Sequence, residues 1–153
     1  MKKTELELKT KAIIDKISSI NLLNKEDFTK EVISKLTQKG IYFIYYLKTI
    51  IYIGCSHSRI LFKRCEQYFT NSKTGNHLKN KLEKFKVIDL NKYTLNYDEK
   101  KLHDELINGR DIFSLINEFK IKSLSSPNFT KEEILLHEAL AIYWHMPILN
   151  IIN

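Results

Sequence analysis

Residues 40–54, GIYFIYYLKTIIYIG, decide the fold, because this segment opens on Gly-Ile-Tyr and closes on Tyr-Ile-Gly. Aromatic and β-branched residues fill the segment, and such residues favour the pleated, half-buried surface of a sheet. The Leu-Lys-Thr run centred on Lys48 is the expected position of a bend. The segment therefore predicts two antiparallel strands, the first opened by one triplet and the second closed by the other.

Helical spacing returns directly after Gly54. In residues 58–69, SRILFKRCEQYF, the side chains of Leu61, Cys65 and Tyr68 share one apolar stripe. Arg64 lies beside this stripe and precedes Tyr68 by four positions, so the two side chains lie one above the other. The pattern predicts a helix that presents Arg64 and Tyr68 together.

The C-terminal part reads as a strand followed by a long helix. Residues 119–125, FKIKSLS, alternate as a strand does. Thr130 and Glu133 have the spacing of a capping box, which starts a helix, and Pro147 prevents the helix from continuing past His145. Inside this helix Glu138 has apolar neighbours, where a carboxylate is costly unless it is exposed, paired or metal-bound.

Further helices are expected on either side of these elements. Residues 4–21 and 24–39 both carry apolar side chains at helical spacing, which predicts two helices before the first strand. Residues 70–118 are mostly helical in pattern, and Asp98 is the expected N-cap of a helix there. The order predicts an α/β (α+β) domain with a three-stranded antiparallel sheet flanked by helices.

Length and composition fit one domain without a membrane span. A chain of 153 residues corresponds to about one domain, and no apolar run reaches the roughly 18 residues that a bilayer requires. The N-terminus lacks the apolar region of a secretion signal, so we expect a cytoplasmic, intracellular protein without membrane partners. Cys55 and Cys65 are then expected to be free, small, buried hydrophobes.

The positive charge favours a polyanionic partner. The net charge is +7, and lysines that neutralise phosphates release condensed counterions. Residues 71–86 carry five lysines against one acid, which indicates either a DNA-binding surface or a solvated helix face. The residues that we expect to contact DNA are Lys63, Lys73, His77, Lys79, Lys81 and Lys84.

Six positions in order resemble the signature of the GIY-YIG nuclease superfamily. They are Tyr42 and Tyr52 in the two triplets, Arg64 and Tyr68 on the next helix, and Glu138 and Asn150 in EALAIYWHMPILN. The resemblance covers residues 40–69 and 119–150. It implies a single GIY-YIG domain over residues 1–153, with a helical extension at 1–39 and an insertion at 70–118.

The resemblance also implies a chemistry. Glu138 would hold one Mg²⁺ or Mn²⁺ ion per active site, since Mg²⁺ needs few carboxylates. Arg64 would bind the scissile phosphate, and Tyr42 would be the general base, provided that its pKa of about 10 falls. Tyr52 and Tyr68 would order the water and the phosphate, and Asn150 would fix the backbone or orient the neighbouring side chains.

The expected activity is hydrolysis of DNA by a restriction or defence-type endonuclease. One metal site cuts one strand, so a double-strand break needs a homodimer or two encounters. A structure-specific or single-strand DNA nuclease is the first alternative, and a catalytically silent DNA-binding module is the second. His57 could also touch DNA, although a surface histidine without a binding role is the simpler interpretation.

Overall fold

The computed structural model describes residues 5, 8, 11, 26–69, 76–125 and 128–152. Within these residues the chain forms an open, four-stranded antiparallel sheet with helices on both faces. The strands are β1 (Glu26–Asp27), β2 (Gly40–Tyr46), β3 (Thr49–Ser56) and β4 (Lys120–Ser125), in the spatial order β1-β4-β2-β3. The helices are α1 (Lys30–Ile33), α2 (Leu61–Cys65), α3 (His77–Lys86), α4 (Tyr97–Ile107), α5 (Ile112–Ile116), α6 (Lys131–His145) and α7 (Ile148–Ile151), with 3₁₀ turns at Glu66–Phe69 and Leu90–Lys92. The expected mixed α+β class is confirmed.

The hairpin predicted from the two triplets is present. β2 and β3 pair in antiparallel register, with Tyr42 opposite Gly54, and the turn falls at Leu47 and Lys48. Asp98 holds this turn from the helix above it, because its carboxylate accepts hydrogen bonds from Lys48 N (3.1 Å) and from the Thr49 hydroxyl (2.8 Å).

The prediction of three strands was wrong by one. Glu26 and Asp27 form β1, which pairs with β4 at the far edge of the sheet, and Phe28 extends the ladder with a hydrogen bond from its N–H to Phe119 O at 3.0 Å. Phe28 is fully buried and anchors this edge. A two-residue strand with exposed side chains has no periodicity to detect, because its pairing depends on residues that are distant in sequence.

Of the two regions predicted to be helical before the hairpin, the structure describes most of the second and only three residues of the first. In place of the helix predicted at 24–39, the structure has β1 and the single turn α1. Thr29 caps the start of α1, because its side chain accepts a hydrogen bond from Val32 N. Past α1, Leu36 O and Gln38 O accept hydrogen bonds from the first residues of α2. The helix predicted at 4–21 lies outside the described residues, apart from positions 5, 8 and 11.

The two faces of β2 bury different side chains. Tyr42, Ile44 and Tyr46 face the larger core, to which α2, α3, α4 and α5 contribute. Ile41 and Phe43 face the smaller core beneath α6. The sheet therefore separates two cores. An active site that uses residues from both faces must lie at one of its edges.

The cap predicted for α4 was wrong, and the one predicted for α6 is confirmed. Asn96 caps α4 in a capping box with Glu99, which leaves Asp98 in the first turn to hold the hairpin. Thr130 and Glu133 form the predicted box at the start of α6, and α6 ends at His145 before Pro147. None of the helices in the described part of the chain has the length and apolarity that spanning a bilayer requires.

Candidate active site

A cleft of about 630 Å³ runs along the outer edge of β3. β3 is the last strand of the sheet, so residues from both faces reach this edge. The cleft is lined by Tyr52, Ile53, Gly54, Cys55, Ser56, His57, Ser58, Arg59, Arg64, Leu135, Glu138, Ile142 and Asn150. Four of the six predicted catalytic residues, Tyr52, Arg64, Glu138 and Asn150, are in this list, and they come from β3, α2, α6 and α7.

The other two predicted residues, Tyr42 and Tyr68, form the buried floor behind Tyr52. Their hydroxyls are hydrogen-bonded to each other, and both side chains are fully buried. The ring centroids of Tyr42 and Tyr52 lie 6.2 Å apart, and those of Tyr42 and Tyr68 lie 6.1 Å apart. The sequence therefore brings three tyrosines into one cluster, of which Tyr52 is the member that lines the cleft.

Gly54 is a glycine because the Tyr42 ring lies across it. A Cβ atom at position 54 would overlap the ring and hydroxyl of Tyr42. At the other end of the motif, a Cβ at Gly40 would overlap the backbone of β4 at Leu124. The two glycines thus let the tyrosine ring and the neighbouring strand approach closely, which gives a packing reason for the spacing of the two triplets.

Burial sets the pKa of each tyrosine. Burial raises the pKa of Tyr42 well above its usual value, and the neighbouring Tyr68 and Tyr52 raise it further. Burial also raises the pKa of Tyr52, while Arg64 lowers it and Glu138 raises it. The shift at Tyr42 is opposite in direction to the one that a general base at this position needs.

Arg64 brings an unsatisfied donor to the cleft. Its Nε atom is buried and has no hydrogen-bond partner within the described part of the chain. Burial opposes the charge of Arg64, yet its pKa is raised, because the oxygens of Tyr68 and Tyr42 stabilise the guanidinium. A buried donor without an acceptor is costly, and the same side chain lines the cleft.

Glu138 reaches the same cleft from the opposite face of the sheet. It projects from α6, and Cys55 on β3 is its neighbour: burial and a hydrogen bond to Glu138 raise the pKa of the Cys55 thiol to about 12. Cys55 is half-buried, whereas Cys65 is fully buried, and both are free thiols. The expectation of free cysteines is confirmed, and that of a buried hydrophobe is confirmed for Cys65.

Asn150 fastens the edge of β3. Its Oδ1 accepts a hydrogen bond from Ile53 N at 2.8 Å, and its Nδ2 donates one to Ile53 O at 2.8 Å. The amide thus takes the place of a neighbouring strand at one residue of an edge that would otherwise be unpaired there. Of the two roles predicted for Asn150, fixing the backbone is the one that this geometry supports.

The donor set fits Mg²⁺ better than it fits zinc. No group of three or more His, Cys, Asp or Glu residues able to hold an ion comes together among the described residues. Zinc sites in proteins use three or four such ligands, whereas Mg²⁺ binds through one or two carboxylates and takes its remaining oxygens from water and phosphate. Glu138 beside an open cleft fits the second pattern.

The loop after β3 adds two cleft residues. Arg59 had no predicted role, and His57 was interpreted as a surface histidine in preference to a DNA contact. His57 and Arg59 both line the cleft, and the Ser56 hydroxyl closes the loop by donating a hydrogen bond to Arg59 O. The signal in the sequence is their position in the loop immediately after the Tyr-Ile-Gly strand, because binding residues are often found in loops that a rigid scaffold positions.

The predicted DNA-binding residues do not form one surface. His77, Lys81 and Lys84 share one side of α3 and line a second concavity of about 490 Å³. The Lys79 ammonium lies instead over the Phe113 ring, 5.6 Å from its centroid. Lys63 is exposed on α2 beside Glu66, at 3.7 Å. Lys73 lies outside the described residues.

The start of α3 is tied to the tyrosine cluster. Asn76 is fully buried, accepts a hydrogen bond from Lys79 N at 2.9 Å and donates one to Tyr68 O at 3.0 Å. The basic helix is thus fixed in position relative to the floor of the cleft.

No known protein family, curated protein or solved structure matches the chain. Its membership of the GIY-YIG superfamily stays a prediction.

Proposed function

We propose that the protein is a divalent-metal-dependent endonuclease that hydrolyses DNA phosphodiester bonds, of a restriction or defence type. The observation that carries this proposal is the cleft at the edge of β3, where Arg64, with a buried unpaired Nε, and Glu138 reach one space from opposite faces of the sheet. A cationic fork and a carboxylate facing one cleft are suited to a phosphodiester held beside a metal ion.

In this proposal Arg64 binds the scissile phosphate. Its planar guanidinium can donate two hydrogen bonds to two phosphate oxygens, and the partly buried position strengthens them. Arg59 and His57, at the rim of the same cleft, are placed to contact the next phosphate along the strand.

Tyr52, rather than Tyr42, is the general base that we favour. Tyr52 lines the cleft, whereas the Tyr42 hydroxyl is fully buried and bonded to Tyr68. Burial raises the pKa of Tyr52 as it does that of Tyr42, but at Tyr52 the neighbouring Arg64 opposes the increase. A water proton passes to the Tyr52 phenolate as the water oxygen forms a bond to phosphorus. The bond to the leaving oxygen breaks, and that oxygen takes a proton from solvent. Tyr42 and Tyr68 hold the Tyr52 ring in position.

Glu138 is the residue that would hold Mg²⁺ or Mn²⁺. The ion, when bound, supplies positive charge against the developing charge on the phosphate oxygens. Cys55 lies beside this carboxylate, since its thiol is hydrogen-bonded to Glu138.

The test is incubation of the purified protein with supercoiled plasmid, with and without Mg²⁺, followed by mapping of the ends. Discrete fragments support a sequence-specific double-strand endonuclease. Nicks, or cuts confined to single-stranded or branched substrates, would favour the structure-specific alternative. DNA binding without cleavage over a range of metals and sequences would favour the silent module.

A further inference from the structure

The outer side of α6 is apolar and exposed. Of the fifteen residues in this helix, only Ile134 and Ala141 are fully buried. On the side that points away from the sheet, Leu136 is 52% exposed, Tyr143 74% and Trp144 55%. The two histidines inside this stretch point elsewhere: His137 packs edge-on against Phe129, and His145 against Phe43. A surface helix normally presents polar residues outward, so an exposed apolar face indicates an interaction surface.

The spacing of the exposed Leu136 and Tyr143 and the half-buried Leu140 is that of a helix that packs on another helix. Leu136, Leu140 and Tyr143 follow one another at intervals of four and three, which places them on one seam. Leu136 and Tyr143 are equally distant from the middle of that seam, between Ala139 and Leu140. If a second α6 packs antiparallel on the first, Leu136 of one copy meets Tyr143 of the other twice, as an isologous two-fold contact requires.

Charge excludes DNA from this face and permits a second copy. The sequence carries no lysine or arginine after Lys131, so α6 itself offers phosphates no lysine or arginine beyond its first residue. Two molecules of net charge +7 repel each other over most of their surfaces. They can approach most closely where these positive side chains are absent, which is along α6.

The area is sufficient for a specific contact. The large exposed apolar residues on this side are Leu136, Tyr143 and Trp144, with Met146 directly after the helix, whereas Leu135 lines the cleft. Aromatic side chains bury about 150–250 Å² each, so these residues on two protomers together offer on the order of 1,000 Å², the lower bound of a specific interface. We propose that the chain forms a two-fold symmetric homodimer through antiparallel packing of α6 on α6 of a second copy.

This interface would place the two clefts back to back, since Glu138 projects from α6 towards its own sheet. The proposal does not depend on the nuclease assignment, because its readout is the oligomeric state.

Sedimentation velocity over a wide range of protein concentrations tests it. The wild type is expected to sediment as a dimer, and Tyr143→Glu and Leu136→Lys as monomers with unchanged circular dichroism. Val87→Glu is the matched control, because Val87, directly after α3, is 79% exposed; it should leave the dimer intact. A wild-type monomer at every concentration, or a dimer that both α6 variants leave intact, would overturn the proposal.

Disulfide cross-linking tests the geometry. In the proposed dimer, Ala139 of one protomer lies next to Ala139 of the other, close to the two-fold axis. Ala139→Cys should therefore give a covalent dimer under mild oxidation, whereas Val87→Cys should not. A mixture of Leu136→Cys and Tyr143→Cys proteins should cross-link to each other more readily than either protein to itself. Equal cross-linking at positions 87 and 139 would contradict the interface. Cross-linking of Leu136→Cys mainly to itself would contradict the antiparallel arrangement.

Discussion

The side-chain amide of Asn150 pairs with both backbone polar groups of Ile53, which lies 97 positions earlier in the chain. The two bonds fasten α7 to the edge strand, and both residues line the candidate active site.

The first prediction is that Asn150→Ala destabilises the fold. The substitution removes the amide that bonds to the N–H and the C=O of the buried Ile53. Each backbone group left unsatisfied costs about 1–3 kcal/mol. Urea unfolding followed by circular dichroism measures the loss. Asn91→Ala, on an exposed turn, is the control. A loss for Asn150→Ala within the roughly 0.5 kcal/mol typical of surface changes would show that water replaces the amide without cost.

The second prediction concerns the contact between Gly54 and Tyr42. Gly54→Ala should cost about 1–3 kcal/mol, because the new methyl group overlaps the buried Tyr42 ring and forces it to move. In a Tyr42→Leu background the overlapping ring atoms are absent, so the same change should cost much less. A double-mutant cycle by chemical denaturation measures the coupling, expected at about 0.5–3 kcal/mol. Additive losses would mean that the ring does not lie over Gly54 in solution.

The third prediction is that Glu138→Gln abolishes cleavage and leaves DNA binding measurable. The amide keeps the size of the side chain and loses the charge that holds the ion. Plasmid cleavage and a binding titration in Ca²⁺ measure the two properties separately. Glu132→Gln, exposed on the same helix, should cut at the wild-type rate. Wild-type cleavage by Glu138→Gln would remove this residue from the metal site.

The fourth prediction separates Tyr52 from Tyr42 by pH. Because the pKa of Tyr52 is raised above its usual value, the reactive phenolate fraction should increase about tenfold per pH unit between pH 7 and 9. Single-turnover cleavage rates should rise accordingly and reach no plateau in that range. Tyr52→Phe should lower the rate by about 10² to 10⁴ and flatten the profile.

Tyr42→Phe keeps the ring and removes the hydroxyl that bonds to Tyr68 and helps to stabilise the Arg64 guanidinium. We expect a smaller loss than for Tyr52→Phe, with the slope of the profile preserved. The opposite pattern, a flat profile in Tyr42→Phe and a normal slope in Tyr52→Phe, would restore the base role to Tyr42.

Features set by neighbours in sequence could be predicted. The hairpin, the capping box of Thr130 and Glu133 and the helix end before Pro147 each depend on residues a few positions apart. β1 could not be predicted, because Glu26 and Asp27 are a strand only by virtue of their pairing with β4. The cap of α4 was misassigned because Asp98 and Asn96 are both good N-caps, and the distant turn at Lys48 takes the aspartate.

The candidate site divides in the same way. The motif predicted four of the residues that line the cleft but not their environments. The burial of Tyr42, the contact of Cys55 with Glu138 and the presence of Arg59 in the cleft all depend on how the two faces meet at β3.

The last prediction is that the lysines of α3 differ in their effect on DNA binding. Lys81 and Lys84 line the concave side with His77, whereas the Lys79 ammonium lies over the Phe113 ring. Lys81→Gln combined with Lys84→Gln should weaken binding to all sequences about equally and reduce the slope of log affinity against log salt by about 1 per lost phosphate contact. Lys79→Gln should leave the slope unchanged and cost about 0.5–1 kcal/mol of stability through the lost cation–π contact. The measurement is a salt titration in the Glu138→Gln background on a cleavable and a scrambled duplex. If Lys79→Gln reduced the slope as much per lysine as the double variant does, the charge of the whole helix, rather than its concave side, would attract DNA.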